Sequence, residues 1–428
     1  METELNNNYM LPVIGSFLGW LMDGYVTISY LIQESTIQPL FFPGDLYIIY
    51  FFLFVVNGIA RAVGAAFLGN FIGDRLGRKR MMVVTILIFS LSSFSLGFLP
   101  TYAQIGPAAP IIMGVLLFMM GLFAGAEYGG GTALSMESVP MEKRNLMGAF
   151  VQSGFGVGYA ILGFVYFIIS SVTGPAYVTI GWRILFITTI IPGLSAFGIR
   201  FFMPESKVFE NAKKKKEIYK FPLLKLVRDS WKVILVLLAI TGGLLFIDTA
   251  TFSLYPTIFQ EVDGFTRPTT GFWVAIINLI SIAGVILGGT FARFSNKRLI
   301  HMLRYSVIFL IATIIIDMFA FSHSLLDVVV AFSIQAFFEA MIFSSLPAFM
   351  SESFSKLYRT TGVGFVYNLG STLGSLAILV IPTFSLIYGW KLFWLFSVVG
   401  ATLIMLLGMS ISARMVAESD KRVDAITQ

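Results

Sequence analysis

The chain has 428 residues, of which 57% are hydrophobic and only 12% charged, a balance that excludes an ordinary soluble domain of this length. It contains no cysteine, which excludes disulfides and thiol chemistry. The formal charge of +6 reads as a membrane-topology signal rather than a nucleic-acid surface, because its basic residues sit between apolar segments.

A helix that crosses a bilayer needs about 20 apolar residues. Twelve such segments follow one another, and we number them as spans 1 to 12. The first six are 11–33, 45–72, 81–99, 108–136, 146–172 and 182–203. The second six are 232–258, 270–292, 301–321, 325–351, 360–387 and 391–413. The expected fold is therefore an all-α membrane protein of twelve transmembrane helices in two homologous six-helix bundles. No basic region precedes the first apolar stretch, so no cleavable signal peptide is expected.

Between spans 2 and 3, Gly73-Asp-Arg-Leu-Gly-Arg-Lys-Arg80 packs five charges into eight residues. Only a tight loop at the membrane surface holds such a block between two spanning helices. A degraded copy, Ala292-Arg-Phe-Ser-Asn-Lys-Arg298, ends 218 positions later, and Glu137-Ser138 with Arg144 recurs 215 positions on as Glu352-Ser353 with Arg359. The chain thus reads as two parallel repeats, the build of many secondary transporters. The sizeable polar segment 204–230, with Lys213 to Lys216 in an unbroken run, reads as the linker between the halves. The expected divisions are 1–203, the linker 204–230, 231–413 and a tail 414–428. With both termini inside, nearly all loop lysines and arginines face the cytoplasm, and only Arg183, Arg267 and Lys391 face out. A multi-pass protein of the cell membrane with cytoplasmic termini is expected, in contact with the bilayer and no nucleic acid.

Gly73-Asp74-Arg75 with Gly77-Arg78-Lys79 resembles the loop signature of the major facilitator superfamily. Span 4 reads Gly125-Ala-Glu127-Tyr128-Gly129, then Glu137, Pro140 and Arg144. It resembles the metabolite–proton symporters and the related sialate and lactate symporters, as does Arg61-Ala-Val-Gly64-Ala65. That resemblance implies a twelve-helix, monomeric, proton-coupled secondary transporter. The departures are Ala62 in place of the subgroup's proline, one extra residue between Gly69 and Asp74, and Val26 where the subgroup commonly has a second acid after Asp23. The missing acid leaves any family-style proton stoichiometry open.

Charge inside the membrane points to function without the family. An ionised group at mid-bilayer costs about 2.5–3.5 kcal/mol on insertion scales, so it needs a partner or a wet cavity. The deep acids are Asp23, Glu127, Asp248 and Glu339, on spans 1, 4, 7 and 10, the first of each three-helix unit. Polar stripes accompany them, with Thr27 and Tyr30 below Asp23, Thr251 and Tyr255 below Asp248, Gln335 a turn before Glu339, and Asn57 a turn before Arg61. Arg61 is the one deep cation. It either grips the carboxylate of an anionic substrate or neutralises Asp23 or Glu127 in a fixed salt bridge, and both readings stay open. Asp23 and Glu127 are the expected proton-coupling acids, since burial brings carboxylates into a titratable range. Tyr25, Tyr128, Gln152 and Asn368 join Arg61, Asn57, Asp248, Tyr255 and Glu339 as expected substrate-binding residues.

Asp74, Arg75, Arg78, Glu137, Arg144, Glu352 and Arg359 have another expected task. In the superfamily such clusters form ion pairs between helices that break when the inner gate opens. Glycines such as Gly125, Gly129, Gly154 and Gly158 read as close-packing positions. The two histidines stand far apart, no metal-ligand spacing occurs, and no Gly-x-x-x-x-Gly-Lys-Ser/Thr phosphate loop is present. Neither an enzyme, a cofactor nor ATP-driven transport is expected. The expected function is proton-coupled import of a small organic anion by alternating access. The alternatives are a sugar or other neutral-solute porter of the same fold, and a non-transporting nutrient sensor.

Overall fold

The computed structural model describes residues 9–71, 78–202, 222–292, 297–354 and 359–427. The loop positions Asp74 and Arg75 and most of the 204–230 segment lie outside these residues. Every regular element among those described is helical. Span 1 is the helix Met10–Leu31, span 2 Tyr47–Phe71, span 3 Arg78–Leu96, span 4 Ala108–Ser138 and span 5 Arg144–Thr173. Span 6 is built from two helices, Gly181–Thr188 and Ile190–Phe202. Spans 8 and 9 are Arg267–Ala292 and Arg298–Ala320, and spans 11 and 12 are Arg359–Tyr388 and Trp390–Thr427. Eleven helices among the described residues are long and apolar enough to cross a membrane; the apolar part of span 3, Val83–Leu96, is shorter.

Two spans depart from a plain helix, and both departures have local causes. Span 7 starts at Pro222, bends at Ser230 (φ −130°, ψ 22°) and runs to Asp248. It then widens into π turns at Thr249–Ser253 and Ile258–Val262, flanking Tyr255–Thr257. Pro256 has no N–H to offer the carbonyl of Phe252 four residues back, and widened turns loosen the ladder further. The released carbonyls find partners elsewhere. The Tyr159 hydroxyl donates to Phe252 O at 2.7 Å, and Trp394 Nε1 donates to Ala250 O at 2.8 Å. Span 10 breaks after Phe343 and restarts as Leu346–Ser353, with Pro347 in its first turn where a missing N–H costs nothing. Gly389, at φ 83°, turns span 11 back into span 12.

Lipid provides no hydrophobic drive between helices, so small residues decide which backbones approach. A Cβ on Gly64 would stand 1.8 Å from Leu122 O, and one on Gly125 would stand 1.9 Å from Arg61 O. Spans 2 and 4 therefore touch backbone to backbone. Span 1 lies on span 5 in the same way, through Gly24, Gly154 and Gly158. Across the halves, span 5 packs on span 8 and span 2 on span 11. The Thr372 hydroxyl donates to Gly58 O at 2.7 Å along that second seam. Spans 1, 2, 5, 7, 8, 10 and 11 surround a central space; span 3 packs on span 4, span 9 on span 10 and span 12 on span 7.

Candidate functional site

The central space has two compartments. Both are bounded by Trp20, Phe155, Leu245, Asp248 and Tyr367, so they meet at this group of side chains. One compartment reaches Asp23, Thr27, Asn57 and Arg61; the other reaches Gln152, Asn278 and Ser281. Trp20 Nε1 donates to Gln152 Oε1, which holds the indole across the cavity wall. Its ring stands 5.8 Å from Phe155 in a T-shaped pair and 5.7 Å from Tyr367.

In the first half, the deep charges answer one another. Arg61 meets Asp23 as a fork, Nη1 donating to Oδ2 at 3.0 Å and Nη2 to Oδ1. Nη2 also donates to Thr27 Oγ1 at 2.7 Å, and that hydroxyl donates to Asp23 Oδ1 at 2.8 Å. Arg61 is 6% exposed and Asp23 4%. Such a pair removes net charge from the low-dielectric interior while keeping both groups at the cavity edge. The contact exists because Asp23 and Thr27 share one helix face, and because Gly125 lets the Arg61 backbone close on span 4. Glu127 lies behind the pair and shares a small cavity with Asp23, Met22 and Phe89.

The second half is arranged differently. Glu339 is sealed from solvent and accepts from Thr251 Oγ1 at 2.9 Å, while its Oε1 has no hydrogen-bond partner. A turn away, the Tyr255 hydroxyl donates to Gln335 Oε1 at 3.2 Å. Spans 7 and 10 are thereby laced by side chains that the sequence places as polar stripes. Asp248 instead faces the cavity, and its carboxylate has no hydrogen bond or ion pair among the described residues.

Both ends of the cavity are bridged between the halves. At the face carrying the basic loops, Glu352 takes Arg298 Nε and Nη2, each at 2.6 Å, and Arg144 Nη1 at 3.4 Å. Arg298 Nη1 also donates to Asn145 Oδ1, and Asn145 Nδ2 donates to Ala292 O at 2.7 Å. At the far face, the short helix Glu34–Phe41 crosses to span 7. Thr257 Oγ1 donates to Glu34 Oε2, Ser35 Oγ to Gln260 Oε1 at 2.7 Å, and Arg267 Nε to Thr36 Oγ1 at 3.0 Å. Burial lifts the Glu34 carboxyl from the usual carboxylate range to about 8; Thr257 opposes the rise and nearby Glu261 adds to it. Burial likewise raises Asp263 to about 6, against the pull of His323 at 3.1 Å. Chemically, the arrangement is a polar chamber with aromatic walls, bridged between the halves at both ends.

The family model for the Major Facilitator Superfamily matches residues 13–377. The chain belongs to that superfamily. Among its relatives is the inner membrane metabolite transport protein YhjE of Escherichia coli K12, 28% identical over 337 residues, which are 75% of this chain and 74% of that protein. The shikimate transporter of the same bacterium is 35% identical over 203 residues, 46% of each chain. In fold, the proton:xylose symporter XylE is similar at a TM-score of 0.74 and 16% identity, over 95% of this chain and 96% of that one. The protein is a transporter of small molecules with transmembrane helices, and no enzyme.

Within this superfamily chamber, the expected residues fall into three groups. Asp23, Arg61, Asn57, Gln152 and Asp248 line the cavity, Asn57 through a side chain that also donates to Leu117 O at 2.8 Å. Tyr25, Tyr255, Glu339 and Asn368 do not line it. The Tyr25 hydroxyl pairs with Thr188 Oγ1 on span 6 at 2.7 Å, and Asn368 Nδ2 donates to Gly125 O at 3.1 Å. The side chains of Tyr128, Arg78 and Glu137 lie outside the described residues. Of the expected gating residues, Arg144 and Glu352 meet across the halves, whereas Arg359 is half-buried at the start of span 11. Nothing in the sequence marks Trp20, Phe155, Phe252 or Tyr367 as cavity residues, or pairs Arg298 with Glu352 as its main partner. Aromatic residues abound in the chain, so type alone cannot separate a cavity wall from a lipid contact. The repeat of basic clusters was a usable signal for Arg298.

Proposed function

We propose that this transporter is a proton-coupled symporter that imports a small carboxylate-bearing metabolite by alternating access, with both termini in the cytoplasm. The observation that carries the reading is the buried fork between Arg61 and Asp23 on the cavity wall. While Asp23 is ionised it occupies the guanidinium. A proton on Asp23 cancels its charge and frees the fork for a substrate carboxylate, so proton and anion bind together or not at all. The loaded site is then electrically close to neutral, which lowers the cost of carrying it through the closed form. Glu127, against the same small cavity as Asp23, is proposed to share the coupling proton. A relative named for shikimate, a carboxylate, supports the substrate class.

The gates follow from the same geometry. Release of Glu352 from Arg298 and Arg144 opens the basic face, and the excess of lysine and arginine there supports a cytoplasmic orientation. Asp74, Arg75, Arg78, Glu137 and Arg359 are proposed to belong to that gate through their resemblance to the superfamily clusters. Release of Thr257 from Glu34 opens the far face.

A second reading, a neutral-solute porter in which Arg61 never leaves Asp23, is favoured by the additional bond from Arg61 to Thr27. Proteoliposomes with a trapped pH dye separate the two. Acidification triggered by a panel of carboxylates, and its loss in Asp23→Asn while substrate exchange persists, supports symport. Uptake of uncharged sugars with no competition from any carboxylate establishes the second reading.

A further inference from the structure

The Asp23–Arg61 pair leaves one charged group in the chamber unanswered. Asp248 presents its carboxylate to both compartments, with no hydrogen bond or ion pair among the described residues. Its acidic neighbour across the helix seam, Glu339, is sealed and held by Thr251, so a negative charge is least costly on Asp248, where cavity water or a ligand solvates it. Around that carboxylate stand aromatic rings. Trp20, Phe155 and Tyr367 line both compartments beside it, at ring separations below 6 Å along the Trp20 contacts, and Phe252 lines one of them. The Trp20–Gln152 bond ties up the indole N–H, the one strong hydrogen-bond donor of that ring. The side chains that bound both compartments are thus three aromatic rings, Leu245 and the Asp248 carboxylate, while Arg61 pairs with Asp23 in one compartment.

Carboxylates and anions have little to gain there. An alkylammonium group has two attractions at once, the Coulombic pull of Asp248 and the negative ring faces, and desolvation in the closed chamber strengthens both. We propose that Asp248, with Trp20, Phe155 and Tyr367, forms a subsite for an ammonium group of the substrate, so that the imported metabolite is a zwitterion rather than a simple organic acid. This deepens the symport reading and rests on it for the carboxylate end. The cation lies at the junction of the compartments, and the carboxylate reaches into the compartment that holds Arg61. Neither end then needs an unpaired charge in the occluded form.

Two isosteric probes test the subsite directly. Glycine betaine and 3,3-dimethylbutanoate have the same shape and the same carboxylate, and differ by a cationic nitrogen in place of a neutral carbon. Equilibrium binding to the purified full chain in lipid nanodiscs, at fixed pH, is measured for both. We expect betaine to bind about tenfold or more tightly than its neutral isostere, a preference of the size that a desolvated cation–π contact beside a carboxylate provides. Asp248→Asn should erase that preference while leaving the isostere unchanged, and Asp248→Glu should restore part of it. Trp20→Phe should retain a weaker preference.

Equal affinity of wild type for the two probes overturns the proposal, as does failure of both to bind. So does a preference that survives in a well-folded Asp248→Asn protein. If that variant fails to fold, the wild-type comparison and Asp248→Glu still decide. Asp23→Asn, scored both in this binding assay and for proton flux in proteoliposomes, separates this proposal from the symport reading: loss of proton flux with the ammonium preference intact isolates the subsite from the coupling pair. A preference with no wild-type proton flux sinks the symport reading alone.

Discussion

Each half brings acids to the core, yet the cavity acids Asp23 and Asp248 are treated in opposite ways. In the first half, Asp23 is matched by the fork of Arg61 and the hydroxyl of Thr27, and the cluster is internally complete. In the second, spans 7 and 10 bring Asp248 and Glu339 to the core, yet the bonds at hand are a threonine hydroxyl on Glu339 and nothing on Asp248. A repeat that duplicates a fold thus need not duplicate its electrostatics. Half the chamber holds a matched ion pair, and the other half leaves a cavity carboxylate without one among the described residues.

The largest effect should come from breaking the matched pair. Asp23→Asn leaves a buried guanidinium without its counter-charge and should lower stability by about 3–5 kcal/mol, besides abolishing proton-driven accumulation. Replacing both partners, Asp23→Asn with Arg61→Gln, should recover most of that loss. Thermal unfolding in detergent checks it, and a single variant as stable as wild type would show that the pair is not the first half's electrostatic anchor.

Next in size is the latch at the basic face. Glu352→Gln deprives Arg298 of a two-bond partner, and because the Glu352 side chain is 31% exposed the cost to the closed form should be about 1–2 kcal/mol. The cysteine-free chain offers a clean readout. A cysteine placed at Ser153 on the cavity wall should react several-fold faster with a maleimide applied from that face, and an unchanged rate would remove Glu352 from the gate.

The far-face latch should respond to pH. Because burial raises Glu34 to about 8, the closed far face binds a proton that the open one releases near the ordinary carboxylate range. Its stabilisation is therefore complete below that range and disappears as the pH climbs through 8. Between about pH 5 and about pH 9, wild type should lose thermal stability relative to Glu34→Gln, whose neutral amide does not titrate. Parallel pH profiles for the two proteins would dissociate Glu34 from the latch.

The smallest effect sharpens the comparison most. Asp248→Asn removes an acid that has no cation to orphan, so stability should change by less than about 1 kcal/mol even though ligand preference collapses. A loss as large as that of Asp23→Asn would mean that the second half has a charge partner after all.

Much of this was legible in the chain because bilayers impose simple rules. Apolar length sets the spans, duplicated charge blocks reveal the halves, and the price of a buried ion singles out Asp23, Arg61, Glu127, Asp248 and Glu339. Helical spacing even anticipated the stripe partners Thr27 and Thr251. Spacing also puts Tyr30 and Tyr255 on these stripes, where their hydroxyls bond Tyr50 O and Gln335 Oε1 on neighbouring spans: a period of 3.6 residues states which groups share a face, and whether that face meets a neighbour or the chamber depends on how the helix is rotated.

The sequence by itself determined a twelve-span, two-half transporter fold and the identity of its costly charges, since those follow from local hydropathy and from repetition. Tertiary structure alone decided which charges answer one another. Arg61 meets Asp23, 38 positions away on another span, while Asp248 shares the cavity with Trp20, Phe155 and Tyr367 from three other spans. Charge pairing and cavity walls depend on distances between elements, and these are set by packing that no single segment encodes.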